Sequence, residues 1–346
     1  MVRTLCMMVA LAGLLVAALC IAGCPSKPTQ EVRDAPDPAG APRPGAPSDS
    51  AGKTYTFALV PKLLDNPVFK LAEEGAQQKA KELGDVEVTY QGPATADSKA
   101  QVDIIDSLIS KKVDGISVSC NEAGILKAAI DRAVDAGIPT ITFDSDSPDS
   151  KRLTYYGVDN IKAGEKCAEL LLKHLGDTTV GEVAIITGVP GAPNLEERIK
   201  GATELLAKQA PDLKVLPAMP CNDDTQKGVT VTRDVLRAHP KLVGIIMVGG
   251  WPLFAKAPGA FEGQEPGKVK VIGFDGLPNE LDYVRSGHVQ ALVAQRCFAW
   301  GKESMQILHD IVANNKTPEP FIDSGLDVIE AEGVEEYAKK WETKSF

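Results

Sequence analysis

The sequence predicts an α/β protein of two lobes, each a doubly wound parallel sheet covered by helices on both faces. Three observations predict it. From Thr54 onward short β-rich runs alternate with helical runs, the alternation comes in two successive series, and the strands together are too many for one compact sheet. Strands separated by helices of this length imply right-handed βαβ units.

The first series opens with a strand at Thr56–Val60. A helix follows, in which Val68, Phe69, Leu71 and Ala72 recur at helical spacing. Further strands are read at Val86–Tyr90, Gly115–Ser119 and Thr140–Phe143, separated by helical stretches at 98–111 and 122–136. The second series has strands at Val183–Thr187, Val215–Ala218, Leu242–Val248 and Val269–Phe274, with helices between them.

Ahead of this body, Arg3 precedes an uncharged stretch from Leu5 to Ala22 that ends in small residues before Cys24, the pattern of an export signal over 1–23. Ile21-Ala22-Gly23-Cys24 resembles the lipobox of bacterial lipoproteins, with Ile21 where Leu is more usual, and implies lipidation of Cys24. A transmembrane anchor is the rival reading, because the apolar run approaches bilayer-spanning length. Both put the rest of the chain outside the cytoplasm. Residues 24–52 are rich in Pro, Ala, Gly, Ser and Asp without apolar periodicity, and read as a disordered tether.

A net charge of -10 over 346 residues, with no basic run, argues against a nucleic-acid partner. Cys120, Cys167, Cys221 and Cys297 form no CxxC pair and no zinc-like cluster with histidine; they read as free, buried thiols, with a disulfide left open. His174, His239, His288 and His309 are placed at helix ends, beside Pro240 or in turns.

In open parallel sheets ligands bind beyond the carboxyl ends of the strands, so the polar residues there are the candidates. After the first strand they are Lys62, Asp65 and Asn66; after the third, Ser119 and Asn121; after the fourth, Asp144, Ser145 and Asp146. The second series adds Asn194 and Arg198, then Asn222 and Asp223, then Trp251 and Asp275. Each alone reads equally well as a solvated or capping residue, and the weight lies in the set.

Several stretches carry a family resemblance: Asp65-Asn66-Pro67-Val68-Phe69 with Glu74-Gly75-Ala76; Val113-Asp114-Gly115-Ile116; Gly137-Ile138-Pro139-Thr140-Ile141-Thr142-Phe143-Asp144; Gly273-Phe274-Asp275-Gly276; and Ala294-Gln295. From Thr54 to about Phe321 the chain resembles the periplasmic sugar-binding proteins of the ribose-binding type, which feed ABC importers. Val60-Pro61-Lys62-Leu63 with Phe143-Asp144-Ser145-Asp146 is more similar to the rhamnose and autoinducer-2 receptors, in which the lysine and the strand-end aspartate touch the ligand. Gly249-Gly250-Trp251 replaces the family's common Asn-Asp, and Ser145 its frequent Arg.

The resemblance implies a type I periplasmic binding protein: Rossmann-like lobes joined by a three-strand hinge, with crossings near Val158, Arg296 and Asp323. It divides the chain into a first lobe of 53–158 plus 296–322, a second of 159–295, and a tail at 323–346 packed across the hinge. It implies a monomer that holds a small sugar or sugar-like diol and serves an ABC permease. A sensor reporting to a membrane partner shares the same features.

Sugar hydroxyls donate and accept, so burying them requires charged or amide partners. Asp144 and Asp275 accept, Lys62 and Arg198 donate, and Asn66, Asn194 and Gln295 do both; Phe69 and Trp251 suit the apolar ring face. Against an enzyme, no strand precedes G-x-G-x-x-G, and Gly263–Lys268 is one residue short of a P-loop. There is no G-x-S-x-G and no H-E-x-x-H, so no cofactor or metal is expected. A repressor would carry an N-terminal helix-turn-helix where the export signal stands.

Overall fold

The structure, a computed structural model, describes residues 52–343. The export signal, Cys24 and the tether up to residue 51 lie outside the described residues.

The first sheet contains β1 (Tyr55–Val60), β2 (Val86–Tyr90), β3 (Gly115–Val118), β4 (Thr140–Phe143), β5 (Tyr155–Gly157) and β12 (Phe321–Asp323), in the order β12-β5-β4-β3-β1-β2. Every pairing is parallel. Helices α1 (Pro67–Leu83), α2 (Ser98–Lys111), α3 (Ala123–Asp135) and α8 (Cys297–Asn314) cover it. On β1 the side chains alternate: Phe57 and Leu59 join the core under α1 and α8, while Ala58 and Val60 join the one under α2 and α3. A strand buried on both faces reads as a continuous apolar run, which is why it was legible.

The second sheet contains β6 (Gly181–Thr187), β7 (Leu213–Val215), β8 (Met219–Pro220), β9 (Leu242–Met247), β10 (Lys270–Phe274), β11 (Ala291–Gln295) and β13 (Leu326–Glu330). Its order is β13-β11-β10-β9-β6-β7, with β8 also on β6, and only β13 runs antiparallel, on β11. Helices α4 (Asn160–Leu175), α5 (Pro193–Gln209), α6 (Thr225–Ala238), α7 (Pro278–Arg285) and α9 (Val334–Thr343) belong to this half. The strand expected at Val215–Ala218 is instead two short ones flanking Leu216–Ala218, because Leu216 turns its side chain into the core while its N–H bonds Val183. His309 is a second correction: it lies inside α8, paired with Asp85 at 3.2 Å and edge-on to Tyr55.

The chain passes between the sheets three times: at Val158 between β5 and α4, at Arg296 between β11 and α8, and at Ser324–Gly325 between β12 and β13. Ser324 N–H donates to Gly157 O at 2.7 Å, tying two crossings together. The final helix rests on the second half, and Trp341 donates to Gly276 O at 3.1 Å.

Each half packs one helix pair at backbone contact. A Cβ on Gly75 would lie 2.0 Å from Phe298 O and one on Gly301 1.7 Å from Ala72 O, so α1 and α8 touch through glycines. In the second half Gly164 and Gly201 do the same for α4 and α5, with Cβ positions 2.0 Å from Arg198 O and 2.1 Å from Ile161 O. That contact fixes the backbone of Arg198.

Candidate functional site

Both sheets reverse strand order beside their first strand, at β1/β3 and at β6/β9, and the turns that follow β1 and β6 supply the matching polar groups. After β1, Asn66 caps α1, its Oδ1 accepting from Val68 N at 3.1 Å, with Pro67 at the first helical position. After β6, Pro193 begins α5 and places Asn194 and Arg198 one turn apart on its buried face.

The two strand-end aspartates, Asp144 after β4 and Asp275 after β10, both have left-handed backbones, φ 56° and 85°. This conformation is uncommon outside glycine and is best tolerated by Asn and Asp. It curls each carboxylate back over its own sheet edge, and both line one cavity.

Around Asp144, Ser119 Oγ donates to Oδ2 at 2.7 Å and Asn194 Nδ2 to Oδ1 at 3.1 Å. Lys62 Nζ lies 3.8 Å from Oδ2 and donates to Asn194 Oδ1 at 2.7 Å. Asn194 therefore bridges an ammonium and a carboxylate that belong to the other half. Lys62 is steadied from behind: Asn121 Nδ2 donates to its carbonyl at 2.9 Å, and buried Gln101 holds Asn121 N, Pro61 O and Ser119 O.

Around Asp275 the geometry is closed. Its Oδ2 accepts from Gly250 N at 3.0 Å and its Oδ1 from Gln295 Nε2 at 2.7 Å. Arg198, 2% exposed, donates to Gln295 Oε1, Asn160 Oδ1 and Val248 O, each at 2.9 Å, and its guanidinium stands 4.1 Å from the centroid of Phe274. Burial raises the Asp275 carboxyl above its ordinary range, and Arg198 opposes the shift. The chain of bonds continues from Arg198 through Asn160 Nδ2 to Tyr155 Oη at 3.3 Å, and from Tyr155 Oη to Asp144 O at 2.8 Å. The two aspartates thus sit at the ends of one buried network that passes the hinge.

Aromatic groups form the remaining wall. Phe69 packs on Phe143 and Trp300, each at 6.2 Å between ring centroids, and is core and cavity wall at once. Trp251 lies over Gly188 and Gly249, where Cβ atoms would come within 2.6 and 2.3 Å of the indole. The indole N–H groups of Trp251 and Trp300 are buried in the cavity lining without a partner among the described residues.

Of the residues singled out from sequence, Lys62, Asn66, Phe69, Asp144, Asn194, Arg198, Asp223, Trp251, Asp275 and Gln295 line this one cavity. Six others do not. Ser119 and Asn121 stand behind Asp144 and Lys62; Ser145 is buried beside them; Asp65 and Asn222 are exposed. Asp146 is taken by Arg152, which grips both its oxygens at 2.6 Å. Val68, Leu195, Gly249 and Trp300 line the cavity without having been picked out from sequence. Trp300, one turn past the hinge on α8, carries no sequence signal beyond its place five residues after Gln295.

Residues 57–316 match the family model described as a periplasmic binding protein domain. The chain belongs to the periplasmic binding protein family. The ribose import binding protein of Bacillus subtilis (strain 168) is 29% identical over 273 residues, 78% of this chain and 86% of that relative. The D-allose-binding periplasmic protein of Escherichia coli (strain K12) is 29% identical over 293 residues, 81% and 94% of the two chains. Among solved structures, an ABC transporter solute-binding protein of Burkholderia graminis in complex with D-arabinose is 37% identical, with TM-score 0.73 over 81% of this chain and 96% of that one. One from Actinobacillus succinogenes with bound D-allose is 28% identical, with TM-score 0.73 over 82% and 100%. The two-lobed architecture expected from the strand–helix alternation is that of these proteins.

Proposed function

We propose that this chain is an extracytoplasmic solute-binding protein, not an enzyme, which captures a monosaccharide between its lobes and delivers it to an ABC importer. The observation that carries the reading is the convergence of Asp144 and Asp275, from separate sheets, on one cavity with Lys62, Arg198, Asn66, Asn194 and Gln295. Charged acceptors and donors facing each other across a small space match the alternating hydroxyls of a sugar, and Phe69, Trp251 and Trp300 match its C–H faces. Three of Arg198's five N–H groups are held by the protein, which leaves two for a guest.

Closure supplies the signal. A ligand gripped by both lobes favours the closed form by its differential affinity for that form, which an importer then reads. The relatives named for ribose and allose, and the solved proteins holding D-arabinose and D-allose, support an aldopentose or aldohexose. Cys24 is proposed as the lipid-bearing residue that keeps the monomeric body at the membrane; Cys24→Ala should release the protein from the membrane fraction.

The test is a thermal-shift screen of the full chain against pentoses, hexoses, deoxyhexoses and polyols. A ligand at a hundred times its Kd adds about 2.7 kcal/mol, a rise in Tm of about 4 °C for a body of this size. A screen in which no sugar moves the Tm refutes the reading.

A further inference from the structure

Among the charged residues lining the cavity are two cations, Lys62 and Arg198, and three carboxylates, Asp144, Asp223 and Asp275. Two carboxylates are matched: Lys62 stands 3.8 Å from Asp144, and Arg198 reaches Asp275 through Gln295 by bonds of 2.9 and 2.7 Å. Asp223 is the odd one. Among the described residues it forms no ion pair, and its Oδ1 accepts from Val189 N at 3.1 Å. Asn222 and Asp223 are both left-handed, φ 57° and 59°, a tight turn that leaves Asn222 exposed and swings Asp223 inward. The Cβ position of Gly188 is 1.9 Å from Asp223 Oδ1 and 2.6 Å from Trp251 Cη2, so the carboxyl lies against the edge of the indole.

The charged and titratable groups facing Asp223 are Lys62 from the end of β1, Asp144 from β4, Asp275 from β10 and Cys221 in its own turn. Lys62 is already held by Asn194 and Asp144. Val189, after β6, offers one N–H and no charge. Asp223 is half-buried, and the withdrawal of its carboxyl from water raises it to about 6; Lys62 and the Val189 N–H oppose this, while Asp144 and Asp275 add to it. A neutral guest displaces water from this space and brings no counter-charge, which further penalises a third negative charge.

We propose that Asp223 enters the sugar-bound cavity as a carboxylic acid and donates a hydrogen bond to a ligand oxygen, so that capture of a neutral monosaccharide takes up one proton from solvent. Asp223 is thereby a specificity residue that selects an acceptor oxygen at one point of the guest. The inference rests on the sugar-binding reading above and extends it.

The experiment is calorimetric titration of the full chain with D-arabinose, D-ribose and D-allose at pH 7.5, in two buffers of different ionisation enthalpy. The buffer dependence should return about one proton taken up per sugar bound, and Kd should rise roughly tenfold between pH 6.5 and 7.5. Asp223→Asn, a permanent donor of the same shape, should bind without proton uptake and with a Kd flat from pH 6 to 8. Binding of the native chain without proton uptake overturns the proposal and leaves the sugar reading standing, as does an Asp223→Asn variant weakened equally at every pH. Tighter binding of D-glucosamine without proton uptake also overturns it, making Asp223 an ionised counter-charge. No heat with any sugar overturns both. Should the Asn variant not fold, the native pH profile decides: a rise in Kd that begins near pH 6 supports the proposal, and a flat profile rejects it.

Discussion

Asp144 and Asp275 hold matching places in the two lobes, each at the carboxyl end of a central strand with a left-handed backbone, yet their surroundings differ. In the second lobe Asp275, Gln295 and Arg198 are bound to one another and to Asn160, Val248 and Gly250, all on the same side of the cleft. In the first lobe Lys62 and Asp144 stand 3.8 Å apart, and the residue that joins them, Asn194, comes from across the cleft. One pole is built within a single lobe, and the other takes a member from each. A rigid pole gives a guest a fixed template, while the adjustable pole makes the closed state depend on what lies between the lobes.

The largest effect tests this asymmetry directly. Arg198→Ala removes a fully packed cation with its three hydrogen bonds and the positive charge that offsets the buried Asp275, so unfolding in denaturant should lose about 3–5 kcal/mol. Lys62→Ala removes one charged hydrogen bond and a loose ion pair, and should lose about 1–2 kcal/mol. Equal losses would erase the distinction between the poles.

Next in size is Asp144→Asn, which keeps the left-handed backbone and removes the charge. Sugar affinity should fall about tenfold to a hundredfold, the value of a hydrogen bond to a charged group, with the Tm nearly unchanged. A parallel loss of both would make Asp144 a structural residue.

A smaller effect belongs to the second lobe alone. Glu280 is fully buried, accepts from Leu277 N, and lies where a Cβ on Gly250 would come within 2.3 Å of its Oε1; burial and the Asp275 charge hold its pKa well above the ordinary carboxylate range. A raised folded-state pKa gives a contribution fully present below the unfolded value, and that contribution is lost as pH rises toward the folded one. Glu280→Gln should therefore flatten the fall in Tm between pH 5 and 8, gaining over the native chain as pH rises. A constant offset between the two curves would contradict the assignment.

The smallest effect is optical. With Trp300 and Trp341 replaced by Phe, Trp251 emission should change at saturating sugar, because its indole N–H is buried in the cavity lining. An unchanged spectrum would take Trp251 out of the contact surface.

Much of the site was legible because parallel strands announce their carboxyl ends: a β-rich run such as Ile138–Phe143 stops at Asp144, and Val269–Phe274 stops at Asp275. Which way the next side chains turn was not legible. Asp146 lies two residues past Asp144 but pairs with Arg152, and Asn222 is exposed while Asp223 points inward. The supporting groups were hidden for another reason. Asn160, Gln101 and Trp300 sit within helices, where their spacing is that of ordinary polar or core positions, and only the folded arrangement shows what they reach. The short strands β12 and β13 escaped because each is mostly exposed or half-buried and carries no long apolar run.

A crystal structure of the chain grown with a sugar that shifts its Tm is the most direct test. One sugar should lie between the lobes, within hydrogen-bond distance of both Asp144 and Asp275, with Arg198 keeping its contacts to Gln295 and Asn160. A sugar bound to one lobe alone, or outside the space between these aspartates, would contradict this placement.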